Sequence, residues 1–215
     1  MPLAPKMTRI QAHGYALAKR TLDIMGSAVG LLVTAPLWLG AAVAVRVTMG
    51  APVLYRDRRP GRRGRPFTMY KLRTMREPTP GEARLASDGA RLTRVGQWLR
   101  TTSVDELLSL VNVLRGDMSL VGPRPLLMQY LERYTVEQSR RHEVKPGLTG
   151  WAQVHGRNAL DWPQRLALDV WYVDHRSFTL DLEILARTVV TVLRRQGIHA
   201  KGQATMGEFK GSAGG

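Results

Sequence analysis

An uncharged apolar segment near the N-terminus limits the folds open to this chain. The segment, IMGSAVGLLVTAPLWLGAAVAV, runs from Ile24 to Val45. Because an α-helix of roughly 20 residues crosses the hydrocarbon core of a bilayer, the segment is long enough to do so. Pro36 lies within it, and a proline inside a helix lacks an N–H group and clashes with the preceding turn. We therefore predict a membrane-associated helix that is broken at Pro36.

Basic residues flank both ends of this segment. Lys19 and Arg20 precede it, and Arg46 begins a second basic region that continues to Arg65. Since positively charged flanks favour the cytoplasmic side, a segment with two such flanks is expected to enter the membrane and turn back. An ordinary span, oriented by the more basic C-terminal flank, is the alternative. A cleaved secretory signal fits less well, because its apolar region is usually about 7–15 residues long.

The composition excludes several kinds of chemistry and leaves three classes of partner. The 215 residues contain no cysteine, which excludes disulfides, thiolate catalysis and cysteine-based zinc sites. The five histidines are scattered, without the spacing of a metal site. The formal net charge of +15 favours nucleic acid, anionic lipid or a phosphorylated substrate, and charge by itself does not choose among them.

Two strand-like pieces follow the apolar segment and predict a small basic β-hairpin. Val53–Tyr55 and Phe67–Tyr70 are rich in strand formers, and Pro60-Gly61 marks a turn between them. The intervening region is unusually basic. Its arginines are Arg56, Arg58, Arg59, Arg62, Arg63 and Arg65. Such a cluster is typical of a surface that meets lipid headgroups or phosphates, although a solvated loop would carry the same residues.

The remainder of the chain is predicted to be mostly helical. Apolar residues recur at helical spacing over 92–116, where two helices are expected, and further helices are predicted over about 126–143, 160–175 and 180–194. The last is amphipathic, so it packs on the core or lies at a membrane interface. Residues 77–90 are rich in proline, glycine and small polar side chains and predict a surface loop.

Two adjacent acids, Asp105 and Glu106, allow a structural and a chemical interpretation. Ser103 and Glu106 have the spacing of a capping box at a helix N-terminus, which is a common local structure. Alternatively, a carboxylate in a basic environment stays ionised and can attack phosphorus, while a second acid holds a divalent cation. Lys71 and Arg100 are nearby basic residues that could bind phosphate oxygens. Local sequence favours the capping box.

Three longer motifs change that balance, because together they resemble a known family. YKLRTM at 70–75, LRTTSVDELLSLVNVLRGDMSLVGPRP at 99–125 and KPGLTGWAQVHGRN at 145–158 are similar in order and spacing to bacterial sugar transferases called monotopic phosphoglycosyl transferases. The preceding apolar segment and the later LDVWYVDH agree as well. The resemblance covers roughly residues 15–198, and its specificity comes from several long motifs that agree at once.

The resemblance implies a reaction and a set of site residues. Such enzymes move a sugar-1-phosphate from a UDP-sugar to undecaprenyl phosphate and release UMP. Asp105 matches the nucleophile that forms a covalent phosphosugar intermediate, and Glu106 matches the acid that supports Mg²⁺. The other positions are expected to bind the substrate. They are Lys71, Arg100, Arg124, Arg157 and Asp169.

The residue patterns and the resemblance together predict an architecture and a location. We expect a mixed α/β, mostly helical protein: a re-entrant membrane helix over 1–50, a compact cytosolic catalytic domain over 51–198 and a flexible tail over 199–215. It would lie at the cytosolic face of the bacterial inner membrane, in contact with membrane lipids and without a nucleic-acid partner. Ala35 departs from the serine that often precedes the helix-breaking proline, although Thr34 is close.

A membrane-anchored basic module that binds anionic lipid or nucleic acid without catalysis is the competing interpretation. The net charge and the arginine cluster favour it. It leaves unexplained why two acids stand side by side in a basic chain, and why Arg124 lies between two prolines. The sequence does not indicate which sugar is transferred.

Overall fold

The computed structural model describes residues 9–77, 91–156, 159–193 and 208–211. Helices dominate these residues, as the sequence predicts. Two small sheets accompany them, whereas the sequence predicts one hairpin. Most of the loop expected over 77–90, and one of the expected site residues, Arg157, lie outside the described residues.

The elements follow one another along the chain in a mixed order. The α-helices are α1 Arg9–Val33, α2 Ala35–Met49, α3 Arg94–Thr102, α4 Leu110–Arg115, α5 Val136–Ser139, α6 Trp151–Val154, α7 Trp162–His175 and α8 Phe178–Leu193. The 3₁₀ segments are Arg62–Gly64, Val104–Ser109, Met128–Arg133 and Arg140–Glu143. The strands are β1 Leu54–Pro60, β2 Pro66–Leu72, β3 Ser119–Val121 and β4 Gly147–Thr149.

The two sheets each contain two strands. β1 and β2 pair antiparallel as a hairpin, with Leu54 opposite Leu72 and Pro60 opposite Pro66. β3 and β4 pair in parallel, with Ser119 opposite Gly147. The parallel pair brings together two parts of the chain that are distant in sequence. The segment between them contains two 3₁₀ segments and the short helix α5.

The prediction of a single helix over about 126–143 is wrong. The structure divides this range into two 3₁₀ segments and the one-turn helix α5. Thr135 begins α5 with a capping box, in which its side chain accepts from the N–H of Gln138 and the Gln138 side chain accepts from the N–H of Thr135. A strong N-terminal cap in the middle of an apolar pattern starts a new element there, and helical periodicity does not detect that break.

The first two helices meet at a bend near the predicted proline. No single helix among the described residues is long and apolar enough to cross a membrane, but Gln11–Val33 and Ala35–Met49 meet the length and composition criteria together, with a bend of 61° between them. The bend falls at Thr34, so Pro36 occupies the first turn of α2, where a missing N–H group leaves no hydrogen bond unmade. This geometry fits both a broken span and a re-entrant segment.

Polar side chains satisfy backbone groups at the bend. The Thr34 hydroxyl donates to the carbonyl of Gly30 at 2.6 Å, and the Trp38 indole N–H donates to the carbonyl of Leu31 at 3.2 Å. The Gly30 carbonyl also accepts from the N–H of Thr34 at 3.0 Å, so the hydroxyl adds a second hydrogen bond there, and both side-chain donors stabilise the break. The hydroxyl that Ala35 lacks is therefore supplied one residue earlier.

Helix α1 is held against the rest of the protein by charged side chains. The Arg20 guanidinium donates to the carbonyls of Val113 and Leu114 at 2.7 Å each, which caps the C-terminal end of α4. Asp23 is 3% exposed and accepts from the Ser119 hydroxyl at 2.9 Å. The apolar segment thus begins directly after a residue that is fixed to strand β3.

A second contact joins α1 to α8. Asp181 is buried and accepts a hydrogen bond from the Tyr172 hydroxyl at 2.6 Å, from Lys19 at 2.8 Å and from the Tyr15 hydroxyl at 3.0 Å. Three donors around one buried carboxylate satisfy it and compensate for its desolvation. These contacts and those of Arg20 and Asp23 place α1 at a defined position on the domain.

A short C-terminal stretch also packs on the domain. Phe209 is 2% exposed and lies among the aromatic rings of Tyr130, Tyr134 and Trp162. The composition predicts a flexible tail over 199–215, and most of that range lies outside the described residues. Phe209 is buried whereas Glu208 and Lys210 are exposed, so one large aromatic side chain attaches this short stretch to the domain.

We predict that Gly96→Ala destabilises the protein. A Cβ atom at Gly96 would lie 1.8 Å from the carbonyl oxygen of Thr74, so α3 would have to move away from that backbone. Overpacking of this kind typically costs about 1–3 kcal/mol, and here the clashing atom belongs to the backbone. Thermal unfolding in detergent should show a clearly lower midpoint. Gly14→Ala is the matched control, since nothing lies within 4 Å of its Cβ and alanine favours helix. Equal midpoints in the two variants would contradict the close approach.

Candidate active site

The two adjacent acids lie on a 3₁₀ segment that begins after an unusual residue. Ser103 has a φ of 59°, in the left-handed region, and its N–H group ends α3 by donating to the carbonyls of Leu99 and Arg100. Its side chain makes no capping hydrogen bond to the segment that carries Asp105 and Glu106. The capping box that local sequence favours therefore does not form.

Strand β2 is fixed beside the acids by side chains from the end of the 3₁₀ segment Val104–Ser109 and from α4. The Asn112 side chain donates to the carbonyl of Thr68 at 2.7 Å and accepts from the N–H of Tyr70 at 3.1 Å. The Ser109 hydroxyl donates to the carbonyl of Tyr70 at 3.0 Å. Asn112 and Ser109 are buried, so they bind the free edge of β2 as a neighbouring strand would. Lys71, the next residue of β2, is thereby directed toward the acids.

Glu106 is held by two cations. The Lys71 ammonium lies 2.8 Å from one carboxylate oxygen, and the Arg124 guanidinium binds both oxygens, one of them at 3.1 Å. A bidentate arginine–carboxylate contact fixes geometry as well as charge. Burial opposes ionisation of Glu106, but Arg124 and Lys71 outweigh it and hold the pKa of this carboxyl well below its usual range. Glu106 is therefore a fixed negative charge.

Asp105 has a different environment. Its carboxylate accepts no hydrogen bond from the residues that the structure describes, although the residue is only 8% exposed. Burial, and after it the charge of Glu106, raises the pKa of Asp105 to about 6, against the opposing effect of Lys71, Arg124 and Arg100. A carboxylate surrounded by cations but bonded to none of them keeps its lone pairs available for another molecule.

Arg124 reaches Glu106 from a turn that is anchored through its carbonyls. Pro123 and Pro125 have restricted backbone angles and no N–H groups, so few backbone donors are available to hold the turn. The N–H of the preceding Gly122 donates to the carbonyl of Thr149 at 2.9 Å. The N–H of Gly147 donates to the carbonyl of Pro123 at 2.9 Å, and the Arg141 side chain donates to the carbonyl of Arg124 at 2.7 Å. Strand β4 and a buried arginine thus determine where the Arg124 guanidinium lies.

Asp169, expected to bind substrate, is buried beneath this turn. Its side chain is 2% exposed and binds Arg141 at 2.7 Å and 3.1 Å. In this position Asp169 contacts the turn through Arg141 and is covered by protein. The sequence did not single out Arg141, because the residue fell inside the range read as one helix. Its position shortly before the motif at 145–158 is the sequence feature that could have identified it.

Of the other expected residues, Arg100 lies at the site and Arg157 is outside the described residues. The Arg100 Nε donates to the hydroxyl of Thr74 at 3.1 Å, which joins α3 to the end of β2. The positive charge of Arg100 is one of those that oppose the raised pKa of Asp105. The structure therefore brings together Lys71, Arg100, Asp105, Glu106 and Arg124.

The carboxylates fit a metal that arrives with substrate rather than one enclosed by protein. Over the described ranges, no group of three or more histidine, aspartate or glutamate side chains could hold a metal ion. Mg²⁺ is usually bound through one or two carboxylates, with substrate phosphates and water completing its shell. Asp105 and Glu106 can supply that number, although both oxygens of Glu106 already contact cations.

Comparison with known proteins shows extended similarity. Residues 14–195 match the family described as bacterial sugar transferase. The chain is 50% identical over 196 residues to the uncharacterized sugar transferase EpsL of Bacillus subtilis (strain 168), in an alignment that covers 91% of this chain and 97% of that protein.

Several relatives are named for a specific reaction. The chain is 44% identical to the UDP-glucose:undecaprenyl-phosphate glucose-1-phosphate transferase of Caulobacter vibrioides, across 82% of this chain and 70% of that protein. It is 40% identical to the undecaprenyl-phosphate galactose phosphotransferase of Salmonella typhimurium, across 84% of this chain and 41% of that longer protein. The chain belongs to the bacterial sugar transferase family.

Proposed function

We propose that this protein transfers a sugar-1-phosphate from a UDP-sugar to undecaprenyl phosphate. The names of its relatives support this general reaction. The observation that carries the proposal in this chain is the unequal pair of acids: Glu106 is bound by two cations, whereas the adjacent Asp105 is surrounded by cations and bonded to none. One acid is fixed in place, and the other is available to react.

In the first step, an oxygen of the Asp105 carboxylate attacks the phosphorus that bears the sugar. A new P–O bond forms, the bond to the bridging oxygen breaks, and UMP leaves with its electron pair. The product is an aspartyl phosphosugar, and a covalent intermediate of this kind divides one difficult displacement into two easier ones. In the second step, an oxygen of undecaprenyl phosphate attacks the same phosphorus and regenerates the Asp105 carboxylate.

The cations beside the acids suit a diphosphate substrate. Lys71, Arg100 and Arg124 carry three positive charges, and Asp105 and Glu106 carry two negative charges when ionised. The site therefore has excess positive charge, which a nucleoside diphosphate sugar would neutralise. Arginine and lysine bind phosphate oxygens through charge-assisted hydrogen bonds, and such contacts strengthen as charge develops on the leaving group.

Mg²⁺ is the proposed cofactor, with Glu106 as its protein ligand. A divalent cation neutralises diphosphate charge and stabilises the departing UMP. Glu106 already contacts Lys71 and Arg124, so a metal ion would share that carboxylate with two positive charges. Because the negative diphosphate would offset their repulsion, we expect the metal ion to bind together with the diphosphate. The protein's contribution is to keep Glu106 ionised and fixed.

The bent helix pair supports a membrane location for this chemistry. We propose that α1 and α2 form a re-entrant segment and that the site lies at the cytosolic face of the bacterial inner membrane, where a nucleotide sugar and a lipid phosphate can meet. The bend of 61° at Thr34 and the basic residues on both flanks support this arrangement.

We predict that Asp105→Asn abolishes transfer while leaving the fold intact. Asparagine keeps the shape of the side chain but lacks the nucleophilic carboxylate. Intact-protein mass spectrometry after incubation with a UDP-sugar, and without lipid acceptor, should show a gain of one phosphosugar on the wild type and none on the variant. Asp161→Asn is the matched control, because asparagine can replace the aspartate that caps α7. Full activity in Asp105→Asn would refute the proposed nucleophile.

We predict that Glu106→Gln lowers turnover by at least about 100-fold, the scale expected for loss of one charged group that stabilises the transition state. Glutamine keeps one acceptor oxygen of the two that Lys71 and Arg124 now contact, its amide nitrogen is a donor, and the charge that neutralises the two cations is lost. UMP release at saturating UDP-sugar and Mg²⁺ measures the effect. Turnover within twofold of wild type would mean that Glu106 is only structural.

The membrane arrangement is tested with single cysteines, since the chain has none of its own. We predict that Lys6→Cys and Gly81→Cys are both protected from a membrane-impermeant thiol reagent added on the periplasmic side. Both should react once the membrane is opened, which confirms that each thiol is available. Labelling of only one of them from the periplasm would establish a span across the membrane instead.

A further inference from the structure

A buried ion pair lies directly beneath the Pro123–Pro125 turn. The side chain of Arg141 is 1% exposed and that of Asp169 is 2% exposed. Arg141 donates to Asp169 through Nε at 3.1 Å and Nη2 at 2.7 Å, to the Tyr134 hydroxyl through Nη1 at 3.3 Å and to the carbonyl of Arg124 at 2.7 Å. Every nitrogen of the guanidinium is therefore engaged.

Stability alone is a weak reason for this pair. Transfer of two charges from water into a protein interior costs several kcal/mol for each ion, and well-packed apolar residues often replace such pairs without loss. The feature that an apolar pair could not reproduce is the hydrogen bond from Arg141 to the carbonyl of Arg124. That bond ends on the same residue whose guanidinium binds Glu106.

The turn depends on this contact because it has few other anchors. Pro123 and Pro125 contribute no N–H groups. The carbonyl of Pro123 is bound by strand β4, through the N–H of Gly147, and the carbonyl of Arg124 is bound by Arg141. Asp169, on α7, orients Arg141 through two hydrogen bonds to one carboxylate oxygen.

We propose that Arg141 and Asp169 are positioning residues for the transfer reaction. They set the orientation of Arg124, and through it the position of the Glu106 carboxylate, without touching substrate. The inference rests on the proposed function, since it concerns the same site. It assigns Asp169 an indirect role in place of the substrate contact that the family resemblance implies.

A neighbouring ion pair provides a matched control. Arg140 and Asp174 join the same two elements, the 3₁₀ segment Arg140–Glu143 and helix α7, with one contact at 3.3 Å. Their side chains are 30% and 24% exposed, and neither is bonded to Arg124. A change in this pair perturbs the contact between the two elements but leaves the anchor of the turn in place.

The decisive variant is Arg141→Lys. Lysine keeps a positive charge beside Asp169, but its single ammonium cannot reproduce the planar fork that reaches both Asp169 and the carbonyl of Arg124. We expect some loss of stability, because buried acceptors lose their donor, and at a temperature where the variant is still fully folded we expect kcat for UMP release to fall at least 10-fold. We expect Asp169→Asn to lower kcat likewise, and Arg140→Lys and Asp174→Asn to leave it within twofold.

Hydrogen exchange provides a readout that does not require catalysis. In full-length protein, the backbone amides of the non-proline residues in 119–126 should exchange at least 10-fold faster in Arg141→Lys and Asp169→Asn, and at the wild-type rate in Asp174→Asn. Unchanged kcat and exchange in Arg141→Lys, or a loss of activity that follows the unfolding midpoint equally in all four variants, would overturn the proposal. Absence of a phosphosugar adduct on the wild type would contradict the proposed function. The hydrogen-exchange comparison would still test whether Arg141 and Asp169 hold the turn in place.

Discussion

The contact between Arg124 and Glu106 is the interaction on which the arrangement of the site depends. It joins the Pro-Arg-Pro turn to the 3₁₀ segment of the paired acids, and Lys71 adds strand β2 to the same carboxylate. Three parts of the chain that are far apart in sequence therefore meet at one half-buried charge. Since Glu106 satisfies both cations, Asp105 stays unbonded, and the different environments of two adjacent acids follow from this one contact.

Much of the fold followed from local patterns. The helices that became α7 and α8, the hairpin strands and the helix end at Gly116 have strong signals in sequence, and Gly116 adopts the left-handed φ of 89° that suits a terminating glycine. The break at Pro36 was predicted within two residues, because the proline is placed in the first turn of the second helix. Each of these features depends on residues near one another in the chain.

The features that local patterns missed depend on distant contacts. Ser103 has the sequence signature of a cap, but it adopts a left-handed conformation that ends the previous helix. Arg141 became recognisable only when the chain placed it between Asp169 and the turn around Arg124. Family resemblance gathered Lys71, Arg100, Asp105, Glu106 and Arg124 as site residues, but a motif match does not distinguish a residue that faces the site from one, such as Asp169, buried beneath it.

The attachment of α1 to the domain has a consequence for how a lipid would reach the site. Arg20 and Asp23 bind α4 and β3, so the start of the apolar segment has a fixed distance from the strand that leads to the Pro-Arg-Pro turn. In the proposed membrane arrangement this fixes the height of Asp105 relative to the bilayer surface. A lipid phosphate diffuses only within the plane of its leaflet, so an acceptor that arrives from any direction meets the nucleophile at the same depth. The search for the second substrate is then two-dimensional, and no movement of the domain toward the membrane is needed.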